Sequence, residues 1–147
     1  METEKKALFF TGLVILSSLF IILTWPPYVS QSPAFIMVLV FGALLIIWAL
    51  IARKVNKPET THKLPKGYFF VTQGPYEILR HPIYAGFLLI MSSLVQYDFN
   101  GPRVFAFLIL LMAISLKIIR EGHTMTQEVK EYEEYKKKTK RIIPYLF

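Results

Sequence analysis

Cysteine is absent from this 147-residue chain, and histidine occurs only three times. The first absence excludes disulfide bonds, a thiolate nucleophile and any metal site with cysteine ligands. The three histidines, His62, His81 and His123, are scattered along the chain, so we expect no metal centre. The chain also lacks a Gly-x-Gly-x-x-Gly sequence, the phosphate-binding signature of dinucleotide folds. Chemistry that depends on thiols, metals or a Rossmann loop is therefore not expected.

Charged residues are scarce in four long apolar runs, although the chain as a whole is basic. Of all residues 54% are hydrophobic, and the formal net charge is +7. The runs cover residues 8–25, 34–52, 83–97 and 104–119. Runs of about 20 apolar residues are typical of membrane-spanning helices. The first run is too long for a signal peptide and lacks a small-residue cleavage site, so we read it as a retained span.

These runs predict an all-α integral membrane protein with a single domain over residues 1–147 and four transmembrane helices. The last two runs are shorter than a bilayer crossing needs, so we expect them to extend into flanking polar residues or to thin the bilayer locally. Lysine and arginine concentrate between the second and third spans and in the C-terminal tail. This distribution puts both regions, and both chain termini, on the cytoplasmic side. Beside such spans, basic charge suits anionic lipid headgroups better than nucleic acid.

The tail, residues 120–147, is predicted to be a cytoplasmic amphipathic helix. Glutamate precedes lysine by four residues in two pairs, Glu133–Lys137 and Glu134–Lys138, and this order stabilises helices. Without a functional role, such a segment would simply lie on the membrane surface.

Turn-forming, cationic and aromatic residues crowd together in the sequence GPYEILRHPIYAG, residues 74–86. Gly74-Pro75 indicates a turn, and a second proline opens the next apolar run. Arg80 and His81 therefore precede a helix whose free N–H groups and partial positive charge can face an anionic or polar ligand. The alternative is a basic membrane-interface anchor with tyrosines at the headgroup level.

The third and fourth spans are expected to form an antiparallel hairpin, so the segments before and after them return to one membrane face. Segment 64–86 and the tail would then enclose a single cytoplasmic pocket. The residues expected to meet there are Arg80, His81, Tyr84, Glu121, Tyr132, Tyr135 and Arg141.

Taken in order, these motifs resemble the isoprenylcysteine carboxyl methyltransferase and phospholipid methyltransferase superfamily of membrane enzymes. The family pattern is Gly-Pro-Tyr, then Arg-His-Pro-x-Tyr-x-Gly, a hydrophobic hairpin, a Glu-Glu pair, and a tail with Tyr-x-x-Tyr and Arg-x-x-Pro. The matching positions here are Gly74 to Tyr76, Arg80 to Gly86, Glu121, Tyr132 to Tyr135 and Arg141 to Pro144. The resemblance covers residues 64–147, and the first two spans match only by being hydrophobic.

Two positions depart from the family pattern. Arg120 stands where the family has the first of two adjacent glutamates, and Glu128-Val129 replaces its Phe-Gly. These departures bear on the substrate class more than on the cofactor, because the motif around His81 is intact. Arg120 would suit an anionic methyl acceptor.

The resemblance implies S-adenosylmethionine as the methyl donor and S-adenosylhomocysteine as the product. The implied cofactor-binding residues are Tyr76, Arg80, His81, Tyr84, Glu121, Tyr132, Tyr135, Arg141 and Pro144. Arg80 or Arg141 suits the cofactor's carboxylate, because a guanidinium pairs with a carboxylate through two parallel hydrogen bonds. Glu121 suits the cofactor's ammonium group or its ribose.

Methyl transfer from a sulfonium depends on alignment and a dry cavity, since the cofactor supplies the reactive group. The candidate catalytic residues are Arg120, Glu121 and His81. A carboxylate acceptor is already ionised at neutral pH, whereas an amine must lose a proton, for which His81 or Glu121 is the candidate base. We expect a lipid-like or isoprenylated acceptor, with carboxyl O-methylation favoured over amine N-methylation. With only four spans, one chain alone is not expected to close a cavity, so a homodimer is compatible with the sequence.

Two other functions stay open at this point. A sterol-reductase-like membrane enzyme that uses NADPH shares a related hairpin and Arg-His-Pro motif, although that group has more spans. In a non-catalytic membrane scaffold or lipid-binding module, the two motif blocks would serve only as anchors. Binding of S-adenosylhomocysteine, of NADPH or of neither distinguishes the three functions.

Overall fold

The computed structural model describes residues 2–24, 32–55 and 71–142, with side chains from Leu8 onward, and within these ranges the chain is all-helical. The elements are α1 (Glu2–Leu23), α2 (Pro33–Val55), a single 3₁₀ turn (Gly74–Glu77), α3 (Pro82–Tyr97), α4 (Gly101–Glu128) and α5 (Tyr132–Lys138). The predicted all-α fold is confirmed, and each predicted apolar run coincides with one of the first four helices. The end of the first run, at Trp25, lies outside the described residues.

The four long helices pack in two pairs, α2 on α3 and α1 on α4, and α3 also contacts α4. Side chains of α1, α3 and α4 form a central apolar cluster that includes the fully buried Leu110 and Ile114. Glycines allow α2 and α3 to approach closely. A Cβ built on Gly86 would lie 2.6 Å from the carbonyl oxygen of Gly42, and one built on Gly42 would lie 2.8 Å from that of Gly86. This crossing therefore leaves no room for a side chain at either position.

Two helices, α2 and α4, are long and apolar enough to cross a membrane. They contain 23 and 28 residues, and only 17% and 33% of their apolar 18-residue stretches is buried within the chain. A core helix of a water-soluble protein is mostly buried, so these two exposed apolar helices are candidate membrane spans. The apolar helices over residues 8–23 and 82–97 are shorter. Length and composition thus support two of the four expected spans.

The predicted single tail helix is wrong, because residues 120–138 belong to two helices. α4 continues past Arg120, since several strong helix formers follow its apolar part and no proline stops it. The helix ends at Glu128, the next residue Val129 has an extended backbone (φ −124°, ψ 109°), and α5 begins at Tyr132. Met125, Val129 and Tyr132 form a small buried cluster across this break. Burial of these apolar side chains accounts for the change of direction.

A buried arginine ties three helices together at the end of the molecule where α3 connects to α4. Arg103 lies in the first turn of α4 and is only 1% exposed. Its guanidinium donates to the carbonyl oxygens of Leu94 (2.9 Å) and Ile21 (3.3 Å) and to the carboxylate of Asp98 (3.1 Å). Leu94 and Ile21 lie in the last turns of α3 and α1, where carbonyls have no partner within the helix. Arg103 therefore caps two helix ends at once.

Candidate functional site

The segment before α3 pairs with the segment after α5. Three hydrogen bonds join them: Arg80 N–H to Lys140 C=O (2.7 Å), His81 N–H to Arg141 C=O (3.1 Å) and Lys140 N–H to Ile78 C=O (3.0 Å). The resulting parallel bridge is centred on Leu79 and Lys140. Residues 78–81 and 139–142 are called the paired segments below. The two regions predicted to meet across the hairpin are therefore in direct contact.

Local sequence explains how these segments are positioned. Gly74 has a positive φ of 66°, which glycine adopts without strain, and a Cβ there would lie 3.2 Å from that of Ala52. Pro82 opens α3 at a position where no helical N–H is needed. At the end of α5, Thr139 becomes extended and its hydroxyl donates to the carbonyl of Tyr135 (2.7 Å). The turn and the helix start agree with the sequence prediction.

The side chains of the paired segments face two different spaces. Arg80 and Arg141 line a polar cavity of about 310 Å³, whereas Leu79 and Ile142 line an apolar groove of about 680 Å³. Other residues of the polar cavity include His81, Gly122, His123, Thr126, Tyr132 and Lys136. The cavity lies at the small end of the range for small-molecule sites, about 300–1,000 Å³.

The described lining of the polar cavity is cationic and contains no carboxylate. Arg80, Lys136 and Arg141 contribute positive charge. Lys136 Nζ lies 3.2 Å from the hydroxyl of Thr126, to which it donates, and it also pairs with the exposed Glu133. Burial lowers the pKa of Arg80 and Arg141 lowers it further, while Tyr132 raises it. The cavity is thus suited to a ligand with at least one anionic group.

Three of the predicted site residues meet beside the cavity. The hydroxyl of Tyr84 donates to Glu121 Oε1 (2.8 Å), and Glu121 Oε2 lies 3.6 Å from His81 Nδ1. The rings of His81 and Tyr84 stack with centroids 5.7 Å apart, and Lys117 Nζ lies 5.7 Å from the Tyr84 ring centre. His81 lines the cavity, whereas Tyr84 and Glu121 do not. Tyr84 therefore packs against His81 and bonds to Glu121, which lies behind the imidazole.

The imidazole of His81 is neutral at physiological pH. Burial, together with the charges of Arg80 and Arg141, lowers the pKa of His81 to about 4. Its contact with Glu121 is therefore not an ion pair, and 3.6 Å is too long for a hydrogen bond. A neutral imidazole has one donor and one acceptor nitrogen. With this pKa it can orient a ligand, but it is a weak base towards an ammonium group.

Two tyrosines of α5 have different positions. Tyr132 is 5% exposed and lines the cavity. Tyr135 instead donates its hydroxyl to the carbonyl oxygen of Tyr76 (2.6 Å), which ties α5 to the 3₁₀ turn. Burial raises the pKa of the phenols of Tyr76, Tyr132 and Tyr135, so all three remain protonated and can donate hydrogen bonds. Tyr76 and Tyr135 thus support the frame of the site.

The remaining predicted site residues lie elsewhere. The guanidinium of Arg120 is 4.6 Å from the ring centre of Phe10 in α1, and Arg120 is not among the residues that line the cavity. Pro144 lies outside the described residues. Of the predicted set, the cavity is lined by Arg80, His81, Tyr132 and Arg141.

Sequence reasoning missed other residues that line the cavity, above all His123, Thr126 and Lys136. The sequence carries a signal for two of them, because Ile119, His123 and Thr126 recur at spacings of four and three residues. That spacing puts them on one face of α4 once the helix is continued beyond its apolar part. Lys136 carries no such signal, since its position depends on the break between α4 and α5.

Within the described parts of the chain, no group of three or more histidine, aspartate or glutamate side chains is placed to hold a metal ion. Fold and site together define a class: an all-helical protein with two candidate membrane-spanning helices and a cationic cavity beside an apolar groove. Comparisons of the chain with protein-family models, with curated proteins and with solved structures gave no match.

Proposed function

We propose that this protein is an integral membrane methyltransferase that uses S-adenosylmethionine and acts on a lipid-like or isoprenylated acceptor. The observation that carries the proposal is the pairing of segment 78–81 with segment 139–142. This pairing brings the Arg-His-Pro motif and Arg141, the first residue of the Arg-x-x-Pro motif, to one cavity. Residues from two separate motifs that resemble the methyltransferase superfamily, Arg80, His81 and Arg141, thus line the same cavity.

The proposal includes a four-span topology with the cavity on the cytoplasmic side. α1 and α3 pack along the two candidate spans, and α1 carries exposed apolar side chains such as Leu16 and Leu19. Four antiparallel crossings bring both termini, the basic loop and the paired segments to the face favoured by the positive-inside rule. A bilayer that thins locally would accommodate the shorter helices.

The residues of the cavity fit the cofactor in part. Arg80 and Arg141 would hold the carboxylate. The ring of Tyr132 suits a cationic sulfonium or ammonium group, because the face of an aromatic ring attracts cations. The described lining offers no carboxylate to the ammonium group, and Glu121 stands behind His81. The cationic lining leaves capacity for an anionic acceptor beside the cofactor.

The cofactor supplies an electrophilic methyl group, and the protein's own residues have to orient it and exclude water. His81, whose ring stacks on that of Tyr84, can offer a hydrogen bond without carrying charge. A pKa of about 4 makes His81 a poor base for an ammonium acceptor. A carboxylate needs no base, so carboxyl O-methylation remains the favoured reaction over amine N-methylation.

Cofactor binding is tested by calorimetric titration with S-adenosylhomocysteine, for which we expect micromolar affinity. Arg141→Gln should weaken this affinity about 10- to 100-fold, because it removes a charged hydrogen-bond donor from the cavity. Lys138→Gln is the matched control: it removes the same charge from an exposed position of α5 that does not line the cavity. Equal affinities for the two variants, or no binding by the unmodified protein, would count against the proposal.

A second function is favoured by one specific observation, the three cationic side chains of the cavity. The phosphates of NADPH would suit them, as a sterol-reductase-like enzyme requires. The same titration with NADPH distinguishes this function, and a protein that binds neither nucleotide would be a scaffold.

To find the acceptor, membrane lipids are incubated with labelled S-adenosylmethionine and searched by mass spectrometry for a species that gains a methyl group.

Arg120→Ala is expected to raise the KM of that acceptor about fivefold, the effect of one partly exposed charge contact. The KM of the cofactor should change less, because Arg120 lies outside the cavity. Steady-state kinetics with each substrate varied in turn measure both constants, with Arg120→Lys as the charge-conserving control. An equal rise in both constants would remove the acceptor role from Arg120.

A further inference from the structure

The polar cavity and the apolar groove lie next to each other, yet they share no lining residue within the described chain. The paired segments lie between the cavity and the groove. Leu79 and Ile142 face the groove, and the neighbouring Arg80 and Arg141 face the cavity. The two paired segments, joined by backbone hydrogen bonds, thus form a partition between the two spaces.

This partition conflicts with the chemistry of methyl transfer. The acceptor atom must attack the methyl carbon in line, at a near-attack distance of about 3–3.5 Å. The new bond to the acceptor forms as the carbon–sulfur bond breaks, and the bonding pair stays on sulfur. An acceptor chain held in the groove and a cofactor held in the cavity cannot reach this geometry with the partition in place.

We propose that residues 139–142 form a movable strap that opens between cavity and groove when an acceptor binds. This inference rests on the proposed methyltransferase function and adds a gating step to it. The strap is the segment suited to move, because its partner, residues 78–81, is continuous with α3 and cannot shift without it. Three hydrogen bonds hold the strap against that partner, and the side chain of Ile142 packs against the central apolar cluster, so opening has to break these contacts.

Neighbouring contacts leave the strap a defined pivot. Thr139 is 3% exposed, and its hydroxyl and N–H both bond to the carbonyl of Tyr135. Tyr135 is in turn fixed to the 3₁₀ turn through Tyr76. Motion therefore begins after Thr139 and leaves α5 in place. Tyr132 and Lys136, which line the cavity from α5, would keep their positions while the strap opens.

A disulfide across the bridge tests the strap directly, because the chain has no cysteine of its own. The variant combines Leu79→Cys with Lys140→Cys, which face each other in the parallel bridge. Neighbouring strands are about 4.8 Å apart, within the Cα separation that a disulfide spans. The full chain is placed in lipid nanodiscs, and the oxidised protein is compared with the same protein reduced by dithiothreitol.

Two quantities are measured on both forms: the Kd for S-adenosylhomocysteine, and the rate of labelled methyl transfer into a total lipid extract of the expressing cells. Oxidation is expected to reduce transfer about tenfold or more, to leave the Kd unchanged, and to be reversed by reduction. Equal transfer by the two forms would overturn the strap alone. Loss of nucleotide binding on oxidation would also overturn it, since the segment would then only shape the cavity. If the unmodified protein binds no S-adenosylhomocysteine, the proposed function fails, and the strap fails with it.

Discussion

Arg103→Met is expected to lower the free energy of unfolding by about 3 kcal/mol, because it removes one partner from a buried, charged hydrogen-bond network. Methionine fills a similar space, so the loss comes from the polar contacts. The carbonyls of Ile21 and Leu94 and the carboxylate of Asp98 all lose the guanidinium donor. Two of these acceptors end helices, where a nearby cation is also favoured by the helix dipole.

Thermal unfolding in detergent, followed by circular dichroism, measures the effect of Arg103→Met. The matched control is Lys54→Met, which removes a positive charge from an exposed position at the end of α2 and should change stability by less than about 0.5 kcal/mol. Arg103→Lys should lie between them, since one ammonium cannot reproduce the planar fork of arginine. Equal melting temperatures for Arg103→Met and Lys54→Met would show that the network contributes nothing to stability.

Arg103 also illustrates what sequence reasoning cannot provide. The stretch from Asp98 to Arg103 predicts a tight turn with no net charge, and nothing in it indicates a buried arginine. In the structure Asn100 caps α4 by accepting from the N–H of Arg103 (3.1 Å), so the arginine enters the helix. Its contact with Ile21 joins residues 82 positions apart in sequence. No local pattern encodes such a partner, because it follows from how α1 packs on α4.

Other elements could be predicted because their causes are local. Uninterrupted apolar runs are long enough to determine four helices, and Gly74, Pro75 and Pro82 determine the turn and the start of α3. The antiparallel order of α3 and α4 then brings the paired segments to one end of the molecule. The contact between these segments therefore follows from topology, without any knowledge of side-chain positions.

The composition of the candidate site was only partly predictable. The motif residues Arg80, His81 and Arg141 line the cavity, but Glu121 stands behind His81. The difference arises from helical phase, since a residue of α4 faces either the cavity or α3 depending on its angle around the axis. That angle is set by packing along the whole of α4, which the sequence predicted as two separate segments.

Gly86→Ala is expected to destabilise the protein by about 3 kcal/mol, at the upper end of the cost of overpacking a tight core. The added Cβ would lie 2.6 Å from the carbonyl oxygen of Gly42 and 2.7 Å from Ile46 Cγ1. Atoms this close must separate, and one of them belongs to the backbone of α2. Gly42→Ala should act similarly, and the double variant should cost less than the sum, because both changes push the same two helices apart.

Gly12→Ala provides the matched control, since it makes the same change inside α1 where a Cβ meets nothing within 4 Å. Alanine favours the helix by about 1 kcal/mol over glycine, so this variant should be as stable as the original or slightly more so. Ile46→Ala combined with Gly86→Ala should remain less stable than the original protein, because it removes the Cγ1 atom of residue 46 and leaves the contact with the backbone of Gly42. Melting temperatures of the original protein and of these five variants test this order.

The same series separates two roles for a glycine that belongs to the Arg-His-Pro motif. Gly86 follows Tyr84 by two residues, so a displaced α3 would also shift the hydroxyl that donates to Glu121. In the proposed mechanism, loss of nucleotide binding in Gly86→Ala is therefore expected to accompany loss of stability, and Gly42→Ala should produce both effects from the opposite helix. A Gly86→Ala protein with an unchanged melting temperature and no affinity for S-adenosylhomocysteine would contradict this account. It would mean that the motif glycine acts on the ligand itself and not through the contact between α2 and α3.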